Sequence, residues 1–252
     1  MWPERGCPIV GVHPLPPREM DGKPLQRLKD LSTINVQQNI KCFMEGEGRD
    51  RGRHPDERYA SFDFCFNYFQ SFRHGKRLKA ICSSDNMETS CLQIAFYLAS
   101  WGMLRGSSFL LNKSSRFYER LLRTIVELDS RVWEIDVDSY SNDNLSLLMD
   151  VKNTICACLG EENRASDTLV TKIMLGIFGN VPAFDSFFQR GFDVGAFNKK
   201  HLKRIADFYN HHRGAIDAIS VHTLDFNTGK ETRRKYPKAK VIVMVGFVEG
   251  WR

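Results

Sequence analysis

The sequence of 252 residues contains no apolar run of the roughly 18 residues that a transmembrane helix requires. Its best apolar stretches, residues 92–98 and 241–248, are much shorter. The N-terminus lacks the apolar core of a secretory signal peptide. Seven cysteines form no CxxC pair, so the sequence indicates neither a zinc ribbon nor an iron–sulfur site. We therefore expect a cytoplasmic bacterial protein with reduced thiols and with no metal or organic cofactor.

Several enzyme signatures are also missing. The sequence has no phosphate-binding glycine loop, no HExxH, no GxSxG and no dinucleotide fingerprint, which argues against the enzyme classes that depend on them. The net charge of +6 is unevenly distributed, because residues 199–252 hold 12 basic and 5 acidic residues. The basic excess therefore lies in the C-terminal fifth and makes a polyanionic partner plausible for that part.

The apolar spacing is mostly helical. Residues 1–24 hold six of the nine prolines and predict an irregular arm, and residues 45–58 predict an exposed loop. Residues 239–248 fit either a strand or a helix, and we favour a helix because no partner strand is evident. The pattern predicts an all-α domain over residues 25–252 with eight or nine helices, as one globule or as two lobes with a cleft. The other helices are expected at 25–43, 59–72, 87–101, 107–126, 145–159, 166–178, 185–192 and 199–219.

The most informative stretch covers residues 166–188. A helix containing Lys172 ends at Gly179-Asn180, and Val181-Pro-Ala-Phe-Asp185 then leads into another helix. A carboxylate at a helix start is favoured in its ionised form by the helix dipole. Asp185 is therefore a candidate catalytic group, although the simpler interpretation is an N-cap.

This stretch resembles the active-site region of the helix-hairpin-helix DNA glycosylases. In that family a helix with a lysine is followed by a short loop and a Val-Pro-x-Asp-like element. The resemblance implies that Asp185 is the catalytic carboxylate, with Lys172 as a catalytic or accessory residue beside it. The chain is also similar to bacterial anti-phage glycosylases that excise glucosylated hydroxymethylcytosine. The implied partner is double-stranded DNA carrying a modified base, bound by a monomer.

Two further groups of residues are candidates for a base pocket. Trp101 could stack on a base, and Arg105, Ser107 and Ser108 at a helix start could hold a phosphate. A helix corner with capping serines is the alternative.

Asp63 and Asn67 share one face of a mostly apolar helix, so they need polar partners. Either they bond to each other or to the neighbouring helix, or they line a pocket in which Asn67 reads a flipped base.

Residues 199–252, the basic tail, supply candidate phosphate contacts at Lys200, Lys203, Arg204, Arg233 and Arg234. Such runs are also typical of a solvated face. Two rival functions stay open. One is a HEPN-type ribonuclease toxin using an Arg-x4–6-His motif, either Arg49–His54 or Arg204–His211, and the other is a non-catalytic nucleic-acid-binding module.

Overall fold

The computed structural model describes residues 28–46, 51–160 and 165–252. The arm predicted for residues 1–24 lies outside this part. Within it the chain is all-α, as predicted, with one small β-hairpin and ten α-helices in place of the eight or nine expected. The elements are α1 (Val36–Glu45), α2 (Ala60–His74), α3 (Met87–Ser100), α4 (Glu119–Ile125), α5 (Asn142–Leu159), α6 (Asp167–Ile177), α7 (Ser186–Phe192), α8 (Lys199–His211), α9 (Arg213–Asp217), β1 (His222–Leu224), β2 (Glu231–Lys235) and α10 (Lys238–Trp251).

Two helices form the centre of the fold. Residues 169–177 of α6 and 239–248 of α10 are buried on every side, as expected for helices without a polar face. Nearly all the buried apolar side chains of the described residues form one continuous cluster. The aromatic side chains Phe62, Phe66, Phe69 and Phe72 of α2 belong to it. Five helices begin at a residue whose side chain accepts the backbone N–H three residues later, namely Asn35, Ser141, Ser166, Asp185 and Asn198.

Three predicted helices are shorter than expected. The first begins at Val36, after a 3₁₀ turn at Leu31–Thr33. The region 107–126 contains two 3₁₀ turns before α4, and Ser108 caps the first of them. The region 199–219 divides at His212, whose ring nitrogen contacts the Leu31 carbonyl. This division accounts for one of the additional helices.

The β-hairpin was not predicted. Strand β1 pairs antiparallel with β2, and the Asp225 side chain closes the turn by accepting from the backbone and hydroxyl of Thr228. The strands have only three and five residues, which is too short for a clear alternating pattern. The exposed loop predicted at 45–58 is also wrong at Arg53, whose side chain is only 3% exposed.

Helices α7 and α10 touch backbone to backbone. A Cβ on Gly191 would lie 2.2 Å from the Gly246 carbonyl oxygen, and one on Gly250 would lie 1.8 Å from the Phe187 carbonyl oxygen. A Cβ on Gly246 would meet the Phe188 ring at 2.5 Å. Only glycine permits this approach, so three glycines fix the position of α7 on α10.

We expect Gly191→Ala to destabilise the protein by about 1–3 kcal/mol or more, because the added methyl group overpacks a backbone contact. The measurement is urea unfolding followed by circular dichroism. Gly214→Ala is the matched control, since a Cβ there meets nothing within 4 Å. The control is expected to be neutral or slightly stabilising. Equal effects of the two substitutions would contradict the proposed close contact.

Candidate functional site

The segment between α6 and α7 positions Asp185. The chain turns at Gly179, whose φ of 73° is unfavourable for other residues. Two threonines of α6 then hold the backbone of Phe184, since Thr168 Oγ1 donates to its carbonyl at 2.7 Å and Thr171 Oγ1 accepts from its N–H at 2.9 Å. The residue that follows is Asp185, which is thereby fixed beside the buried face of α6.

Asp185 is the N-cap of α7. Its Oδ1 accepts the backbone N–H of Phe187 at 3.1 Å and that of Phe188 at 3.0 Å. The N-cap interpretation is therefore confirmed. Asp185 is also partly exposed and lines an internal cavity, so a capping side chain is still accessible to a ligand in that cavity.

The cavity brings together residues that are distant in the sequence. Its volume is about 10 Å³, which is about the space that one water molecule needs. Lys172 lies in its wall at 5% exposure, and its Nζ donates to the Trp101 carbonyl oxygen at 2.8 Å. The structure thus places Lys172, Asp185 and Trp101 around one space. The complete lining consists of Tyr97, Trp101, Lys172, Leu175, Ala183, Asp185, Lys240 and Val243.

Lys240 is a member of this site that sequence reasoning missed. Asp136 accepts the backbone N–H groups of Lys238 and Ala239 and so fixes the first turn of α10. Lys240 is 1% exposed. Its ammonium lies near four aromatic rings, at 4.6 to 5.8 Å from their centres. The available signal was a cation in the first turn of a helix that is otherwise almost entirely apolar. The four rings are those of Phe43, Phe62, Trp101 and Tyr236.

The cavity changes the protonation of both lysines. Burial lowers the pKa of Lys240 to about 7, and the carboxylates of Asp63 and Asp185 oppose this shift. Burial also lowers the pKa of Lys172; Asp185 again opposes the shift, while the charges of Arg105 and Arg58 reinforce it. Asp185 therefore acts electrostatically on both lysines, and two surface arginines are close enough to act on Lys172.

This arrangement predicts a pH-dependent effect of Lys240→Met. Because the pKa of Lys240 in the folded protein lies below its ordinary value of 10.5, the unfolded chain binds the proton more tightly. The stability of the wild type should therefore rise between about pH 7 and pH 10. Methionine removes the buried charge, so we expect the Tm of the variant to exceed that of the wild type by about 5–10 °C at pH 6.

Thermal unfolding at pH 6 and pH 10 checks this expectation, since the difference should shrink towards pH 10. Lys79→Met, at a side chain that is 84% exposed, provides the control. If the difference in Tm is the same at both pH values, Lys240 does not have a lowered pKa in the folded protein.

Asp63 and Asn67 do not line the cavity, which corrects their assignment as base-pocket residues. Asp63 is fully buried, and it accepts from Arg53 Nε at 3.1 Å, from the Leu224 N–H at 3.0 Å and from the Tyr236 hydroxyl. Burial raises the pKa of Tyr236 well above its ordinary value, so this hydroxyl keeps its proton.

Asn67 binds the same β-hairpin. Its amide donates to the Leu224 carbonyl at 2.9 Å and accepts from the Thr223 hydroxyl at 2.8 Å. Asp63 and Asn67 are therefore used to attach the β-hairpin. The structural alternative expected polar partners for them, but on each other or on the neighbouring helix and not on a hairpin.

The corner after α3 agrees only in part with the prediction. Trp101 lines the cavity, and its indole Nε1 is buried without a hydrogen-bond partner among the described residues. Arg105 is exposed and packs against Gly102. Ser108 caps a 3₁₀ turn and Ser107 is exposed. Ser108 thus has the capping role that the alternative expects, and neither serine lines the cavity.

Some of the candidate phosphate contacts in residues 199–252 are exposed, and others are bonded within the protein. Lys200 and Lys203 are exposed on α8, and Arg233 is exposed on β2. Arg204 instead donates to the carbonyl oxygens of Phe192 and Lys29, which corrects its assignment as a DNA contact. Arg234 contacts the His74 ring at 3.0 Å.

The structure does not bring together the two residues of the Arg204–His211 ribonuclease motif. Arg204 and His211 are two helical turns apart on α8, which corresponds to a rise of roughly 10 Å. The guanidinium of Arg204 is bonded to two backbone carbonyls. Arg49 of the other match lies outside the described residues.

In residues 28–46, 51–160 and 165–252, no group of three or more His, Cys, Asp or Glu side chains could hold a metal ion. No helix in these ranges is long and apolar enough to cross a membrane. The cysteines in the same ranges form no disulfide bond with one another. Comparisons with protein-family models, with curated proteins and with solved structures found no match.

Proposed function

We propose that the protein is a DNA glycosylase that hydrolyses the N-glycosidic bond of a flipped, modified base and leaves an abasic site. The observation that carries the proposal is the shared cavity of Asp185, Lys172 and Trp101. It combines a fixed carboxylate, a buried amine and an aromatic side chain. The resemblance of residues 166–188 to the helix-hairpin-helix DNA glycosylases implies that the carboxylate and the lysine act together.

Asp185 has the properties that this reaction requires. Breaking the bond generates positive charge on the deoxyribose, which a preorganised carboxylate stabilises. Two backbone N–H groups hold Oδ1, so the group needs no reorganisation during the reaction. The other oxygen, Oδ2, makes no hydrogen bond to the described residues and can orient a water molecule and take its proton.

The surroundings of the cavity suit a DNA strand. Arg58 and Arg105 are exposed near Lys172 and can bind the phosphates that flank a flipped nucleotide. A base is much larger than the present cavity, so its admission requires a side chain of the wall to move. Trp101 fits this role because it is partly exposed at the corner after α3, and it could then stack on the base.

The test uses labelled duplexes that carry cytosine, hydroxymethylcytosine or glucosylated hydroxymethylcytosine, together with an RNA of the same sequence. Alkali cleavage after incubation reveals abasic sites. Strand breaks that appear only after alkali, in modified DNA, support the proposal. Cleavage of RNA would instead indicate a ribonuclease, and binding without cleavage would indicate a non-catalytic module; either outcome overturns the proposal.

A further inference from the structure

The cavity contains an excess of hydrogen-bond donors. Lys172 Nζ and Lys240 Nζ belong to two of its lining residues, and the buried Nε1 of Trp101 belongs to a third. Asp185 is the one carboxylate in the lining. Two ammonium groups against one carboxylate leave a net positive site, which suits a ligand with acceptor atoms or developing negative charge.

Lys240 in particular lacks a protein acceptor. Among the described residues its ammonium makes no hydrogen bond, and its neighbours are the faces of four aromatic rings. A cation over aromatic faces is partly stabilised, but the rings supply no lone-pair acceptor for its N–H groups. A ligand that supplies an acceptor in the cavity would therefore gain a charge-assisted hydrogen bond to a lysine that is only 1% exposed.

We propose that Lys240 and Lys172 form a base subsite in which their ammonium groups bind the acceptor edge of the flipped base. Lys240 also neutralises the negative charge that the base acquires as it departs. This inference rests on the proposed glycosylase function. It gives Lys240 a catalytic role at the leaving group, opposite in charge to the role of Asp185 at the sugar.

The bond between C1′ and the base nitrogen breaks, and its electron pair leaves with the base. A water oxygen bonds to C1′, and the proton of that water passes to Asp185. Lys240 donates a proton to the departing base and becomes neutral. Exchange with solvent returns a proton from Asp185 to Lys240.

The same charges define a substrate class. A neutral base with carbonyl and ring-nitrogen acceptors, such as a cytosine derivative, leaves as an anion and benefits from two ammonium groups. A cationic alkylated base, such as 7-methylguanine, leaves as a neutral molecule and is repelled by them. The subsite should therefore select neutral bases and exclude cationic ones.

Calorimetric titration of the full chain at pH 6 with free cytosine and with 7,9-dimethylguanine tests the subsite, since the methyl group at N9 takes the place of the sugar and keeps the second base cationic. We expect the wild type to bind cytosine and to bind 7,9-dimethylguanine at least tenfold more weakly. Lys240→Met should weaken cytosine binding at least tenfold, while Lys79→Met should leave it unchanged. The preference of the wild type tests the inference even if a variant fails to fold.

Equal binding of the two bases, absence of cytosine binding, or cytosine binding that does not depend on Lys240 would each overturn the subsite. The excision assay on duplex DNA reports separately on the proposed function. A Lys240-dependent preference for cytosine without excision of any base would retain the binding subsite and remove the glycosylase assignment together with the leaving-group role.

Discussion

Asp185→Asn is expected to lower the rate of base excision by about 10²–10³-fold while leaving the fold and DNA binding intact. The loss follows because the neutral amide cannot stabilise a cationic sugar or accept a proton from water. The fold should survive because asparagine is also a good N-cap, and its side-chain oxygen can accept the same N–H groups of Phe187 and Phe188. Single-turnover rates and binding to the same duplex measure the two effects separately.

The control lies at the other end of the same helix. Asp193 follows α7, is exposed, and accepts the backbone N–H of Lys29. Asp193→Asn removes one negative charge from the surface without touching the cavity, so excision should be unchanged. Retained excision in a pure preparation of the Asp185 variant would show that this carboxylate is only a cap.

Asp63→Ala should have the largest effect on stability, about 3–5 kcal/mol. The substitution leaves the guanidinium of Arg53 buried without its carboxylate partner, since the two side chains are 3% and 0% exposed and 3.0 Å apart. It also removes the acceptor of the Leu224 N–H and of the Tyr236 hydroxyl. Urea unfolding followed by tryptophan fluorescence gives the change in the free energy of unfolding.

A surface pair provides the comparison. Arg123 and Glu119 form an exposed pair one helical turn apart, and Glu119→Ala is expected to have no measurable effect. Arg53→Ala and Asp63→Ala combined should destabilise less than the sum of the single substitutions, because each one already breaks the same pair. Additive effects would contradict the proposal that the two residues act as one buried unit.

The sequence was sufficient to predict the elements with a strong apolar period. Helices α2 and α6 were expected close to their observed positions, because stripes or continuous runs of apolar residues determine both the helix and its burial. The apolar pattern of α10 also fitted a strand, and the helix was favoured only because no partner strand was evident. The β-hairpin could not be found in the same way. Its strands are short and largely polar, and what stabilises it is the attachment to Asp63 and Asn67 on a helix more than 150 residues away.

The candidate site was predicted only in part. Lys172 and Asp185 were paired through a resemblance, and the structure places both in the lining of one cavity. Lys240 was counted among the positive charges of the tail, since nothing local distinguishes a solvated lysine from one enclosed by rings of other helices. Asp63 and Asn67 illustrate the opposite error, because a polar pair on an apolar helix face indicates a need for partners and does not identify them.

The glycine contacts between α7 and α10 have a mechanical consequence for the site. Asp185 begins one of these helices, and Lys240 lies in the first turn of the other. Because backbone touches backbone at Gly191, Gly246 and Gly250, the two helices should move as one rigid unit. The spacing between the anionic and cationic ends of the cavity is then insensitive to thermal fluctuation. The movement that admits a nucleotide is therefore expected in another part of the cavity wall, at the corner formed by Trp101 and Gly102.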